Sequence, residues 1–276
     1  MSSPSVPVNT LWIGQSIGPI ERACMRSFLR VGHPVRLFLY GPIDGVPEDV
    51  EIHDAKQILA ESAIIRHLLG SFSLFSNYFR YKLQALGAGY WTDIDVYCLR
   101  RFEFSQPIVL GWQSEEICNG AVLRLPAGSE LVNALLSVFE ETRFPTWVPL
   151  RERFGFVLDT RQSVRFSLRT RLKSALRQNF SRAELTRRLP WGSAGPLAIT
   201  HYVKRLGLTD CVQAREVFYP VPWQQAAWIF DPTTSLESIV KPNTCAIHLW
   251  NSILGQLKDK KPLPGSFVGR LYREGA

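Results

Sequence analysis

The chain has 276 residues, 46% of them hydrophobic, five cysteines and a formal charge of +8. That length and composition suit a globular chain with a sizeable core and exclude a collagen-like or wholly disordered one. No stretch reaches the ~18 apolar residues of a membrane span, and "MSSPSVPVNTLWIG" lacks the charged head and unbroken apolar core of a signal peptide, so a soluble, cytoplasmic protein is expected.

Cys24, Cys98, Cys118, Cys211 and Cys245 are scattered and odd in number, and none forms Cys-x-x-Cys. Neither a disulfide framework nor a structural zinc site is indicated, and reduced, mostly buried thiols are expected. The positive charge is local: from Arg151 to Pro190 eleven Lys or Arg face only Glu152, Asp159 and Glu184, an excess equal to that of the whole chain.

In chain order, "VNTLWIG" reads as a strand. "PIERACMRSFLRVG" reads as a helix, with Pro19 in its first turn and Ile20, Ala23, Cys24 and Phe28 on one face. "PVRLFLYG" is a second strand, and strand, helix, strand opens an α/β sheet with parallel strands. "DAKQILAESAIIRHLL" and "FSLFSNYFRYKLQALG" are helical patterns. In the latter, Phe75, Phe79, Leu83 and Leu86 recur at helical spacing, Asn77, Arg80 and Gln84 take another face, and Gly87 and Gly89 end the run. "YWTDIDVYCL" reads as one buried strand with a polar interruption. "PIVLGW" and "ICNGAVLRL" are two more strands, and "GSELVNALLSVFEETR" is a helix burying Leu131, Ala134, Leu135 and Phe139. After the basic stretch come a Gly-Pro turn opening a helix in "WGSAGPLAITHYVKRLGL", a strand or extended segment in "REVFYPVPW", and a last strand in "TCAIHLWNS".

Aspartate is depleted in strands and costly to bury without a partner, so Asp93-Ile94-Asp95 at the end of an apolar run calls for neutralisation. An extended backbone would set both carboxylates on one side, and hard oxygens suit Mg2+ or Mn2+. Asp-x-Asp alone also fits a pair of solvated turn residues. Relief of repulsion in a crowded acidic site predicts that Asp95→Asn leaves stability unchanged or raised.

The longer stretch "FSNYFRYKLQALGAGYWTDIDVYCL" resembles a segment of glycosyltransferase family 32 and the α-1,4-galactosyltransferase-like enzymes: Ser-Asp-x-x-Arg, a helix, Gly-Gly, then Asp-x-Asp. The matching residues are Ser76, Asn77, Arg80, Ala88, Gly89, Asp93 and Asp95, with Asn77 and Ala88 as departures. "LWIG", "CNGAVLRLPAGSEL", "GSAGPLAIT" and "IHLWNS" resemble further family elements in the same order, so the resemblance spans most of the chain outside the basic stretch.

The resemblance implies an α/β fold of the GT-A type: a mostly parallel mixed sheet flanked by helices, a single domain over 1–276 with a basic helical insertion at 151–190. It implies a metal-dependent retaining transferase that moves a sugar from a nucleotide-diphosphate donor, UDP-sugar favoured and GDP-sugar second, to a glycan or lipid-linked acceptor, with Mn2+ or Mg2+ as cofactor. Ligands of open α/β sheets sit at the carboxyl ends of the strands. By resemblance Asp95 goes to the metal and Asp93 to the ribose or sugar, a division the sequence leaves open. Arg80 would orient Asp93 or touch the donor as a bidentate guanidinium, and Ser76 and Asn77 would lie on the donor. Trp12 and Ile13 would lie by the base, Gly195 and Pro196 would pass close to the sugar, and His248 and Asn251 would contact metal or diphosphate. Read alone, Arg80 also fits a surface ion pair, His248 a structural hydrogen bond and Trp12 a core position.

Two rival readings are a non-catalytic nucleotide-sugar or glycan binder on the same fold, and a nucleic-acid binder using the basic stretch. The latter lacks any recognisable nucleic-acid motif, so no nucleic acid is expected as a partner. In that stretch Val164, Phe166, Leu168, Leu172 and Leu176 are interleaved with Arg165, Arg169, Arg171, Lys173 and Arg177. An amphipathic basic helix of this kind can lie at the inner surface of an anionic membrane, and a solvated basic face is the alternative.

Overall fold

The computed structural model describes residues 5–67, 70–149, 181–259 and 261–276. Its centre is a six-stranded sheet of β1 (Val8–Leu11), β2 (Val35–Leu39), β3 (Glu51–Asp54), β4 (Tyr90–Thr92), β6 (Val109–Trp112) and β7 (Cys118–Arg124), in the order β3-β2-β1-β4-β7-β6. The first four of these run parallel, with Val8 opposite both Val35 and Tyr90; β7 is antiparallel to β4 and to β6. A separate antiparallel pair joins β5 (Val96–Cys98) to β8 (Ala246–His248). The architecture is a mixed, mostly parallel α/β sheet flanked by helices, consistent with a GT-A type fold.

Strand side chains alternate between faces, so neighbouring residues feed different cores. Leu37, Leu39, Tyr90 and Val122 face α1 (Pro19–Arg30) and α6 (Phe267–Glu274), while Phe38, Trp91 and Leu123 face α2 (Ser73–Ala85), α3 (Glu130–Ser137) and α5 (Pro196–Arg205). Sandwiched between helices on both sides, β1, β2 and β4 are buried almost throughout, which is why they read as short apolar runs.

Four expectations change. "DAKQILAESAIIRHLL" contains no α-helix among its described residues. Asp54 ends β3 and accepts from the Lys56 amide, and two 3-10 turns follow at Ala55–Gln57 and Glu61–Ala63. The β2–β3 pairing takes the start of the segment, and a local Asp cap competes with helix propagation. "YWTDIDVYCL" is two strands in two sheets. "REVFYPVPW" begins as one helical turn, Arg215–Phe218, and ends in a 3-10 segment from Trp223. Leu86, expected in the core, lies just past the end of α2 and is 66% exposed. Gly89 is needed where it stands, since its φ is +102° and a Cβ there would come within 2.6 Å of the Pro7 carbonyl oxygen.

The five thiols are free, with Cys24, Cys98 and Cys118 buried. Burial pushes Cys98 and Cys118 up to about 12, which keeps them protonated and unreactive. Of the basic stretch only its end is described, where Arg182–Arg188 forms α4; the amphipathic pattern from Val164 to Arg177 lies outside the described residues. No helix among those described is long and apolar enough to cross a membrane.

Candidate active site

Asp93 and Asp95 occupy the turn that carries the chain out of the main sheet and into the small one. β4 ends at Thr92, the Asp93 N–H donates to Ala121 O in β7 (2.8 Å), and Val96 N–H closes the turn onto Asp93 O (3.1 Å). The backbone is therefore not extended through the motif. The two carboxylates meet because the chain bends and because β8 arrives beside β5. Val96 pairs with His248, Leu249 N–H donates to Asp95 O (2.9 Å), and the imidazole is delivered onto Asp95. One ligand atom each from Asp93, Asp95 and His248 lies within 4.8 Å of the others. Two carboxylates and an imidazole form a donor set that suits Mn2+ or Mg2+ better than a soft metal.

Asp93 is held from the main sheet. Its Oδ1 lies 2.8 Å from Arg80 Nη2 and accepts from Trp91 Nε1 at 2.9 Å. Arg80 is buried, donates Nη1 to Gly120 O (2.6 Å), Nε to Ser76 O (3.3 Å) and Nη2 to Ser76 Oγ (3.3 Å), and lies 5.0 Å above the Trp91 ring. This excludes the surface ion-pair reading of Arg80. The polar face of α2 is buried as well: Arg80 reaches Asp93, while Gln84 bonds Gly89 O and Leu125 N.

Asp95 is held from the C-terminal segment. Its Oδ1 stands 3.3 Å from His248 Nε2, and its Oδ2 accepts from Asn251 N–H at 2.8 Å. Burial alone would raise the Asp95 pKa. The charge and hydrogen bond of His248, the Asn251 amide and the charge of Lys258 outweigh it and hold the carboxyl at about 2. His248 answers in kind: burial pulls it down, but Asp95 and then Asp93 raise it above its ordinary value. The two shifts favour an Asp95 anion facing a protonated His248. The His248 Nδ1 is buried without a partner.

Between His248 and Asn251 the chain passes through Trp250 at φ 58° and ψ 45°, the one left-handed residue other than glycine among those described. Such a conformation costs roughly 1 kcal/mol or more and persists where surroundings impose it. Here the Trp250 indole donates to Val221 O (2.9 Å) and its ring packs 4.2 Å from His248.

On the other flank, Gly195 and Pro196 open α5. Tyr81 of α2 donates to Ala194 O (2.8 Å), fixing the loop, and a Cβ on Gly195 would meet Asn77 Nδ2 at 2.9 Å. The structure therefore brings Ser76, Asn77, Arg80, Asp93, Gly195 and Pro196 together around α2 and β4, and Asp95, His248 and Asn251 around β8. Trp12 and Ile13 leave β1 at the same carboxyl edge at which Asp93 leaves β4, but stand outside the hydrogen-bonded cluster; the Trp12 Nε1 is buried and unpartnered.

Reading from sequence missed Trp91, Glu21 and Lys258. Trp91 adjoins the motif and could have been suspected from its N–H. Glu21 lies about seventy residues upstream, in the first turn of α1, where an acidic residue has an ordinary helix-terminus explanation.

A mixed α/β sheet with an Asp-x-Asp turn at its carboxyl edge is consistent with a GT-A type fold, and β8 of the small sheet adds His248 beside that turn. Over residues 187–275 the chain matches the family described as the alpha 1,4-glycosyltransferase conserved region, which is consistent with the likeness to glycosyltransferase family 32 and the α-1,4-galactosyltransferase-like enzymes. That segment contains Gly195, Pro196, His248 and Asn251; the two aspartates lie before it. No curated protein matches the chain.

Proposed function

We propose that the protein is a divalent-cation-dependent retaining glycosyltransferase that takes a sugar from a nucleotide-diphosphate donor, a UDP-sugar first and a GDP-sugar second, and passes it to a glycan or lipid-linked acceptor. The observation that carries this reading is the convergence of Asp93, Asp95 and His248, joined from two sheets and from inside and outside the family segment. Asp95 and His248 would hold the cation, with Asn251 beside them. When bound, Mn2+ or Mg2+ supplies positive charge to the departing diphosphate.

The chain's own groups do the rest. Arg80 and Trp91 both bind Asp93 on Oδ1, which leaves Oδ2 to accept a hydroxyl of the ribose or the sugar. Asn77, packed on Gly195, offers an amide to sugar hydroxyls in place of the family's carboxylate. Trp12 and Ile13 take the base. Retention through front-face attack, in which the leaving phosphate accepts the acceptor's proton, requires no side-chain nucleophile. The excess charge of 151–190 is assigned to an anionic acceptor or to the membrane surface that carries it, on the cytoplasmic side.

Titration calorimetry with UDP and with GDP, each with Mn2+ and with EDTA, tests the reading. Tight UDP binding with Mn2+ that falls at least tenfold with EDTA is expected. Equal affinity in both conditions would remove the cation from the account, and no binding of either nucleotide would remove the donor.

A further inference from the structure

Glu21 is the third residue of α1, after Gly18 at the N-cap and Pro19 at the first helical position. A glutamate there ordinarily turns back over the open end of its own helix. One oxygen does so: Oε2 lies 2.7 Å from where a Cβ on Gly18 would stand. The other leaves the helix. Oε1 accepts from Asn251 Nδ2 at 2.7 Å and from Lys258 Nζ at 3.3 Å, and the side chain is buried.

A carboxylate can only accept, so Asn251 must present its NH2 to Glu21 and turn its carbonyl oxygen away. That oxygen is buried and has no partner. The backbone N–H of the same residue is committed to Asp95 Oδ2. Asn251, a residue whose main chain bonds Asp95, is thus pinned there by one acid and at its amide by another, with a hard oxygen left over. A glutamate serving only to cap α1 would have no need of Asn251 or of Lys258, more than two hundred residues away.

We propose that Glu21 is a positioning residue of the cation site: it fixes the Asn251 amide so that Oδ1 is presented as a neutral oxygen ligand beside Asp95, and it draws the segment bearing Lys258 against the same site. This rests on the cation reading above. Groups that orient metal ligands from behind typically change metal affinity 10–100-fold when removed. Glu21→Gln keeps the shape but can face Asn251 with either a donor or an acceptor, so the amide is no longer forced into one orientation.

The test is calorimetric titration of Mn2+ alone into the metal-stripped full chain, for the wild type, Glu21→Gln, Asn251→Ala and the double variant. Glu21→Gln and Asn251→Ala should each weaken Mn2+ about tenfold or more, and the double variant no further than Asn251→Ala, since one residue acts through the other. Gly18→Ala is the second probe. Its φ of −79° and ψ of 170° suit any residue, so the helix forms, while the new methyl displaces the Glu21 carboxylate and should weaken Mn2+ several-fold. Glu21→Gln and Gly18→Ala binding Mn2+ as the wild type does, or losses that multiply in the double variant, would overturn the role of Glu21 alone. A wild type that does not bind Mn2+ would overturn both this inference and the cation site beneath it.

Discussion

Asp93 and Asp95 are two residues apart, yet the groups that hold them come from different parts of the chain. Asp93 belongs to the main sheet and is neutralised by Arg80, a buried guanidinium that cannot give up its charge and is itself fastened to Ser76 and Gly120. Asp95 belongs to the small sheet and is neutralised by His248, whose charge is a proton that a cation can displace. The difference separates two roles that the sequence motif leaves merged. On the proposed reading, Asp93 is the fixed acceptor for a hydroxyl and Asp95 the carboxylate that takes the cation.

The largest effect should come from breaking the exchangeable half. Asp95→Asn is expected to reduce sugar transfer more than a thousandfold, since charge stabilisation at the leaving group is commonly worth ~10²–10³ or more in rate. It should also lower stability by about 2 kcal/mol at neutral pH, because Asp95 titrates near 2 against an ordinary value of 3.8. This prediction runs opposite to the expectation from sequence that relief of repulsion would leave stability unchanged or raised, and the melts decide between them. The cost of burying Asp95 is outweighed by His248, Asn251 and Lys258. Donor-turnover assays and thermal melts on the same sample check both parts.

Breaking the fixed half acts on stability first. Arg80→Ala removes the ion-pair partner of half-buried Asp93 and strands the buried Gly120 carbonyl, and should cost roughly 2–3 kcal/mol, visible in urea unfolding as a lower midpoint with little change in slope. Arg80→Lys, which keeps the charge but loses the fork, should recover only part of it.

The pH dependence sharpens the contrast. His248 has a raised folded pKa, so its contribution is complete below the unfolded value of about 6.5 and is lost as pH rises through the raised one; Asp95 contributes above its ordinary value and loses that as pH falls towards about 2. The metal-free protein should therefore lose stability as pH rises from about 6.5 through the raised pKa of His248. Mn2+ must displace the His248 proton, so its stabilising effect should grow over the same interval. Melting temperatures with and without Mn2+ across that range report both trends, which Asp95→Asn should flatten.

The smallest effect is expected beside Asp93. Gly195→Ala places a methyl 2.9 Å from Asn77 Nδ2, in a backbone conformation without positive φ, so Asn77 has to give way. A several-fold rise in KM for the donor with kcat nearly unchanged is expected, since a ground-state contact is lost and the leaving-group chemistry is not.

The first half of this architecture was legible because short-range rules decide it. Pro19 and the apolar face of α1, the strand at Val35–Leu39, and the helix carrying Asn77 and Arg80 into Gly87 and Gly89 all appear where periodicity and turn residues put them. The segment after β2 was not, because pairing of Glu51–Asp54 with β2 and the Asp54 cap override a helical pattern that local propensity alone supports. At the site, both aspartates, Arg80 and His248 were legible from motif and order. The reason they meet was not: it depends on β8 pairing with β5 across some 150 residues, and on a turn where an extended strand was expected. Glu21 was invisible for the same reason, since its two partners lie at the far end of the chain.

The most direct measurement compares Mn2+ affinity of metal-stripped Asp93→Asn and Asp95→Asn with that of the wild type by calorimetry, at a pH where His248 is largely neutral. Asp95→Asn should lose Mn2+ binding by a hundredfold or more, while Asp93→Asn, whose partner is Arg80, should stay within about tenfold of the wild type. Equal losses in the two variants, or a larger loss in Asp93→Asn, would contradict the division of roles between the two aspartates.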